Sequence, residues 1–186
     1  GSVGPISFSG TSATNYSWTN SNPAIGLVAT GTTAISFTGT NTGTSPITGT
    51  ITVTPFNTSG ATSCPGTPTT FTITVNPKGQ VNTIPGQVVC NGDSVTIANF
   101  STTNTGGTTT YSWTSSNTAI GLTSPGNGDV PIFTATNTTT SPISSIITVT
   151  PTFSNGGVSC TGPTMSITIT VNPTGEVNQP NNVVFC

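Results

Sequence analysis

The side chains able to do acid–base, nucleophilic or metal chemistry in this chain of 186 residues are few enough to name. They are the carboxylates Asp93, Asp129 and Glu176, the single cation Lys78, and the cysteines Cys64, Cys90, Cys160 and Cys186; histidine and arginine do not occur. Without histidine, a Ser-His-Asp or Cys-His nucleophile cannot be built. Acid–base cleavage of a glycoside needs two carboxyl groups about 5–10 Å apart, and only Asp93 and Asp129 are candidates. Related stretches earlier in the chain keep neither: Gly1 falls near the place of Asp93, and Thr32-Thr33-Ala34 stands where Asp129 would be. Calcium takes six to eight oxygens, several from carboxylates, and Asn91-Gly-Asp93 or Asn127-Gly-Asp129 supplies only part of such a set. Zinc would want His or paired CxxC ligands, which are missing. The expectation is no catalysis, no metal and no cofactor, with both aspartates as solvated loop carboxylates.

Four cysteines without a metal partner read as disulfides of an oxidising compartment. Two pairings fit their positions. The preferred one joins Cys90 to Cys160, leaving Cys64 and Cys186 to pair with residues outside the chain. The other joins Cys64 to Cys90 and Cys160 to Cys186.

The elements that must carry these residues follow from internal repetition. Tyr16-Ser-Trp18-Thr returns as Tyr111-Ser-Trp113-Thr, and Ala24-Ile-Gly-Leu27 as Ala119-Ile-Gly-Leu122. Ser45-Pro-Ile47, Ile51-Thr-Val-Thr-Pro55, Cys64 and Thr72-Ile-Thr-Val-Asn-Pro77 return as Ser141-Pro-Ile143, Ile147-Thr-Val-Thr-Pro151, Cys160 and Thr168-Ile-Thr-Val-Asn-Pro173. The offset is 95 residues early and 96 later, the size of a whole small domain. Val88-Val-Cys90 returns once more as Val183-Val184-Phe-Cys186, which reads as the start of another copy. The expected organisation is a first repeat over 1–77 without its N-terminal strand region, a second over 78–174, and the opening of a third over 175–186. It reads as about two periods cut from a continuous array.

Within each repeat the apolar period is two, the mark of a half-buried strand. Phe71, Ile73 and Val75 alternate with threonines, as do Ile167, Ile169 and Val171; further strands are expected over 94–100, 110–114, 132–136 and 146–150. Gly, Pro, Asn and Ser clusters punctuate them, and no segment carries a 3.6-residue stripe. The fold class is all-β: tandem immunoglobulin-like Greek-key β-sandwiches with about seven strands per repeat. Trp18 and Trp113 are expected as core anchors facing the Ile-x-Leu pairs, with an exposed sugar-stacking Trp as the functional alternative.

Charged residues make up 2% of the chain, against roughly 25% in ordinary domains. Nucleic acid and anionic membrane surfaces are therefore not expected as partners, and no apolar run approaches the ~20 residues of a membrane-spanning helix. Thr, Ser and Asn take over the hydration that charges normally supply. They also offer glycan acceptors: Asn15, Asn57, Asn99 and Asn137 begin N-x-Ser/Thr triplets.

The order of these motifs, from Val-Val-Cys-Asn-Gly through Tyr-Ser-Trp-Thr, Ala-Ile-Gly-Leu, Phe-Thr-Ala-Thr-Asn-Thr and Ser-Pro-Ile to Thr-Ile-Thr-Val-Asn-Pro, resembles the PKD-like repeats of Bacteroidetes surface proteins over nearly the whole chain. The resemblance implies a large, secreted or cell-surface protein of many modules, an adhesin or stalk often exported by the type IX system. It also implies O-glycosylation within Asp93-Ser94-Val95, making Ser94 a glycan candidate. The acidic turn that follows Trp in better-known PKD modules is replaced by Trp18-Thr-Asn-Ser and Trp113-Thr-Ser-Ser, so partners of acidic PKD modules do not carry over. The function expected is a non-catalytic extracellular spacer whose partners are neighbouring repeats. The alternative is a self-assembling filament of identical chains that lend strands to one another, with glycan or ice binding on Thr-x-Thr rows as a further reading.

Overall fold

The computed structural model describes all 186 residues, and the chain is all-β, with only two single turns of 3-10 helix. Seven strands come first: β1 (Ser2–Ile6), β2 (Asn15–Asn20), β3 (Thr30–Gly31), β4 (Ile35–Thr38), β5 (Ile47–Ser59), β6 (Thr62–Pro65) and β7 (Thr69–Val75). Eight follow: β8 (Gln87–Cys90), β9 (Ser94–Val95), β10 (Thr108–Ser115), β11 (Gly126–Asn127), β12 (Phe133–Thr134), β13 (Ile143–Asn155), β14 (Val158–Thr161) and β15 (Met165–Asn172). Two compact units result. Unit 1 comprises Gly1–Gln80, Thr103–Thr109 and Thr152–Gly162, and unit 2 comprises Val81–Thr102, Thr110–Pro151 and Pro163–Cys186. The first unit thus takes in Lys78–Gln80 and two stretches of what the sequence marks as the second repeat.

Strand β5 is the spine of unit 1. Its residues 51–53 pair with β2 and with β7, and Phe56 with β2 and β6, so β2 holds one edge while β6 and β7 share the other. Strand β13 has the same two neighbours in turn, β15 over Ile143–Val149 and β14 over Thr152–Asn155. This explains how the long spines tolerate an internal proline. Pro151 falls in the gap between β15 and β14, and Pro55 falls between β7 and β6, where no ladder amide is required. Both spines are longer than expected, running through their prolines. Conversely, the strands expected over 94–100 and 132–136 shrink to Ser94–Val95 and Phe133–Thr134. After Thr134 the backbone leaves the ladder: Ala135 N donates to Asp93 O at 2.8 Å and Thr136 N to Ile120 O at 3.0 Å. Ile97 and Phe100 remain buried without being in a strand.

Each unit has its own apolar cluster. One gathers Trp18, Ile25, Leu27, Ile35, Ile51, Val53 and Ile73; the other is built around Trp113, Ile120, Leu122, Ile147, Val149, Ile167, Ile169 and Val171. Alternate residues of β13 and β15 point into the second cluster, as a period of two requires.

The Ala-Ile-Gly-Leu motifs are not strands but 3-10 turns, Pro23–Ile25 and Thr118–Ile120. Asn22 and Asn117 cap them by accepting from Ala24 N (3.2 Å) and Ala119 N (3.0 Å). Each ends on a left-handed glycine, Gly26 at φ 97° and Gly121 at φ 98°. A Cβ there would also lie 2.4 Å from Thr38 O or 2.1 Å from Thr134 O, so glycine is required twice over. The turn drops Ile25 and Ile120 into the cores, where both are fully buried.

One exchange between matched positions is compensated. In unit 1, Asn20 accepts from Asn22 N at 3.0 Å, and Gly49 leaves room for it: a Cβ on Gly49 would sit 2.6 Å from Asn20 Oδ1. In unit 2 the corresponding residues are Ser115 and Ser145; their hydroxyls bond at 2.7 Å, and Ser145 Oγ accepts from Asn117 N at 3.1 Å. A large side chain over glycine and two small ones hold the same amide. We therefore expect Gly49→Ser alone to destabilise by roughly 1–3 kcal/mol through overpacking. Asn20→Ser combined with Gly49→Ser should recover most of that loss, and strict additivity in denaturant titrations of this double-mutant cycle would contradict the compensation.

Candidate functional site

Trp18 and Trp113 are buried, 4% and 3% exposed, so neither offers a sugar-stacking face. Each indole lies over a glycine on the neighbouring two-residue strand, Trp18 opposite Gly31 and Trp113 opposite Gly126. A Cβ on either glycine would stand 2.2 Å or 2.1 Å from the ring Cζ2. Trp18 Nε1 donates to Thr33 O at 2.9 Å, whereas the buried Trp113 Nε1 has no partner; the loop after Gly126 turns its Gly128 amide onto Tyr111 O instead, at 2.9 Å.

The two aspartates are tied to backbone amides. Asp93 Oδ2 accepts from Cys90 N at 2.8 Å, closing the turn between β8 and β9, and Asp129 Oδ1 accepts from Phe100 N at 2.7 Å. Burial pushes the Tyr111 phenol above its ordinary value; a hydrogen bond with Thr102 acts the other way, and the charge of Asp129 adds to the rise. Ser94 is exposed on β9, opposite Thr134.

All four cysteines carry free thiols, and the expected Cys90–Cys160 bridge is not made. The register gives the reason. Cys90 pairs with Asn172, one residue beyond the Val171–Ile143 pair, whereas Cys160 pairs with Phe153. Ten residues of β13 separate Ile143 from Phe153, roughly 33 Å at 3.3 Å per residue, and a disulfide needs Cα atoms within about 7 Å. The alternative bridges, Cys64–Cys90 and Cys160–Cys186, are not formed either.

The feature that sequence reading did not locate is an open sheet edge. In unit 2, β8 adds to β15 in parallel, Ile169 opposite Gln87 and Val171 opposite Val89. Val81, Ile84 and Val89 thereby close the core, and Ile167, Ile169 and Val171 are fully buried. In unit 1, β7 pairs with β5 alone. Its matching residues Phe71 and Val75 are only half-buried, and Ile73 is 9% exposed where Ile169 is 0%. Two clefts lie along this edge: one of about 480 Å³ bordered by Phe71, Val53 and Tyr16, and one of about 520 Å³ bordered by Val75, Asn76, Gly39 and Cys160.

Because the Tyr111 value is raised in the folded state, its contribution to stability is complete below the ordinary tyrosine value near 10 and is lost as pH rises through the higher folded value. Alkaline melts of the chain should show that loss, and Tyr111→Phe should remove it; an unchanged alkaline profile would contradict the assignment. No protein-family model and no curated protein matches the chain.

Proposed function

We propose that the chain is a non-catalytic structural portion of a large extracellular bacterial surface protein, in which PKD-like, immunoglobulin-like Greek-key sandwiches follow one another as a spacer or adhesin stalk. The observation that carries this reading is the duplication of mechanical detail at positions 95 or 96 apart. The same capped 3-10 turn, the same tryptophan over glycine and the same prolines between two strand partners recur. The groups that could do chemistry are spent on structure: both aspartates accept backbone amides, and both indoles are core. A surface whose polar groups are mostly hydroxyls and amides also holds its properties across salt and pH, as an exposed spacer requires.

A second reading, a subunit of a self-assembling extracellular filament, is favoured by the near absence of charge along the strands, 2% of the chain. An unpaired edge in a chain this poor in charge lacks the usual protection against pairing with another chain.

Electron microscopy of native material separates the two. Beaded single chains running out from cells are expected for the spacer; fibres of many separate chains with a two-repeat axial period would replace it with the filament. Saturable binding of one sugar on a glycan array would overturn both in favour of a binding module.

A further inference from the structure

We propose that the peptide bond between Lys78 and Gly79 is a latent cleavage site for a lysine-specific endoprotease, closed by a clamp around residues 76–80 and cut only when that clamp opens. The device would act in the same way in a spacer or in a filament subunit.

Sequence singles out the bond. Proteases that cut after a basic residue recognise its cation, and Lys78 is the only lysine or arginine among the 186 residues. The matching stretch Asn172-Pro173-Thr174-Gly175 has threonine in its place, so the cation is peculiar to this junction between repeats. Hydrolysis there adds one water across the Lys78–Gly79 amide. It leaves a carboxylate on Lys78 and an amine on Gly79, and separates residues 1–78 from 79–186.

The side chain of Lys78 is exposed, yet Pro77 and Gly79 on either side of it are buried. Both polar atoms of the amide are already engaged. Its carbonyl, Lys78 O, accepts from Asn104 Nδ2 at 3.2 Å, and its N–H, on Gly79, donates to Cys160 O at 3.1 Å. A hydrolase has to place that carbonyl oxygen against its own donors, so these bonds must break first.

The neighbours are held as firmly, by two arms that belong with the junction in unit 1. One arm is the loop at 103–105. Asn104 Oδ1 accepts from Gln80 N at 2.8 Å, and the Thr103 hydroxyl bonds Gln80 Oε1. The loop is itself tied down, because Asn104 Nδ2 and Thr105 N both donate to Thr44 O, at 3.3 Å and 2.9 Å. The other arm is the β13–β14 hairpin. Asn76 Nδ2 donates to Asn155 O at 3.0 Å and Val158 O at 3.3 Å, while Asn155 Nδ2 donates back to Asn76 Oδ1 at 3.0 Å.

The hairpin is the arm that can let go. Strand β14 pairs with β13 alone, and three of its four residues are exposed. A two-stranded ribbon is marginal by itself. What seats this one is Phe153, fully buried against the backbone of Gly107, where a Cβ would lie 2.4 Å from the ring Cζ. Unzipping β14 frees Gly79 N and Asn76 together while the two apolar clusters stay closed, a local opening of the kind that proteases detect.

Trypsin acting on the 186-residue chain is the test. The folded chain should survive conditions that consume a free peptide spanning residues 74–83, and the amides of Gly79 and Gln80 should be protected from exchange. Asn104→Ala and Asn155→Ala should each speed the appearance of fragments 1–78 and 79–186 by roughly tenfold, because cleavage tracks the population of the opened form. In both variants the amides of β5 and β13 should stay protected up to Pro151, and Lys78→Gln should abolish the two fragments in every background. Cutting of the unmodified chain at the rate of the peptide would overturn the proposal, since the bond would then be open rather than latent. Unchanged resistance in both asparagine variants would overturn the clamp. So would faster cutting accompanied by loss of protection throughout β5 and β13, which would assign the resistance to global stability.

Discussion

A bare glycine beneath each indole is the constraint on which both units depend. Trp18 and Trp113 sit at the centre of their clusters, on strands flanked by a long spine on one edge and a two-residue strand on the other. That short strand can approach only because Gly31 and Gly126 put no side chain under the ring. With the indole flat, the 3-10 turn that follows can drop Ile25 or Ile120 into the remaining space, and the left-handed Gly26 or Gly121 returns the chain to the sheet. Trp, Gly, the capping Asn and the second Gly thus form one interlocked arrangement.

Around that arrangement, neutral side chains do the tying that ion pairs perform elsewhere. Asn41 donates to Ser45 O and Val75 O and accepts from Gly43 N; Asn137 donates to Ser141 O and Val171 O and accepts from Thr139 N. Each fastens the loop before a spine to the end of the partnering strand, and Asn137 is buried. Hydrogen bonds of this kind are worth about 1 kcal/mol net when made and cost more when a buried partner is orphaned. Asparagine therefore recurs at corners, while threonine lines the exposed faces of the strands.

Much of this was legible before any coordinates. Period-two alternation located β7 and β15, and the repeat offset matched the two tryptophans and the two isoleucine turns. What was misread shares one physical cause: the sequence pattern reports which residues are buried, not which partner takes their backbone. Ile97 and Phe100 are buried as an alternating strand would bury them, yet the ladder there ends at Val95. The spines run through Pro55 and Pro151, which pattern reading treats as stops, because the change of neighbour at that point leaves no amide wanting. The Cys90–Cys160 bridge was a matter of register, which depends on pairing along the whole of β13 and not on local spacing. The open edge of β7 is visible only when its neighbours are compared with those of β15.

The parallel sense of the β8–β15 pair has a consequence of its own. Almost every other pairing in the chain is antiparallel, and an antiparallel edge can accept a partner related by a two-fold axis, which closes a dimer and stops. A parallel slot accepts only a strand running the same way, so donor and receiver are never equivalent. Any assembly made through such a slot has a head and a tail. According to the rotation each contact imposes, it closes into a ring or extends as an open filament, but it never stops at a two-fold dimer.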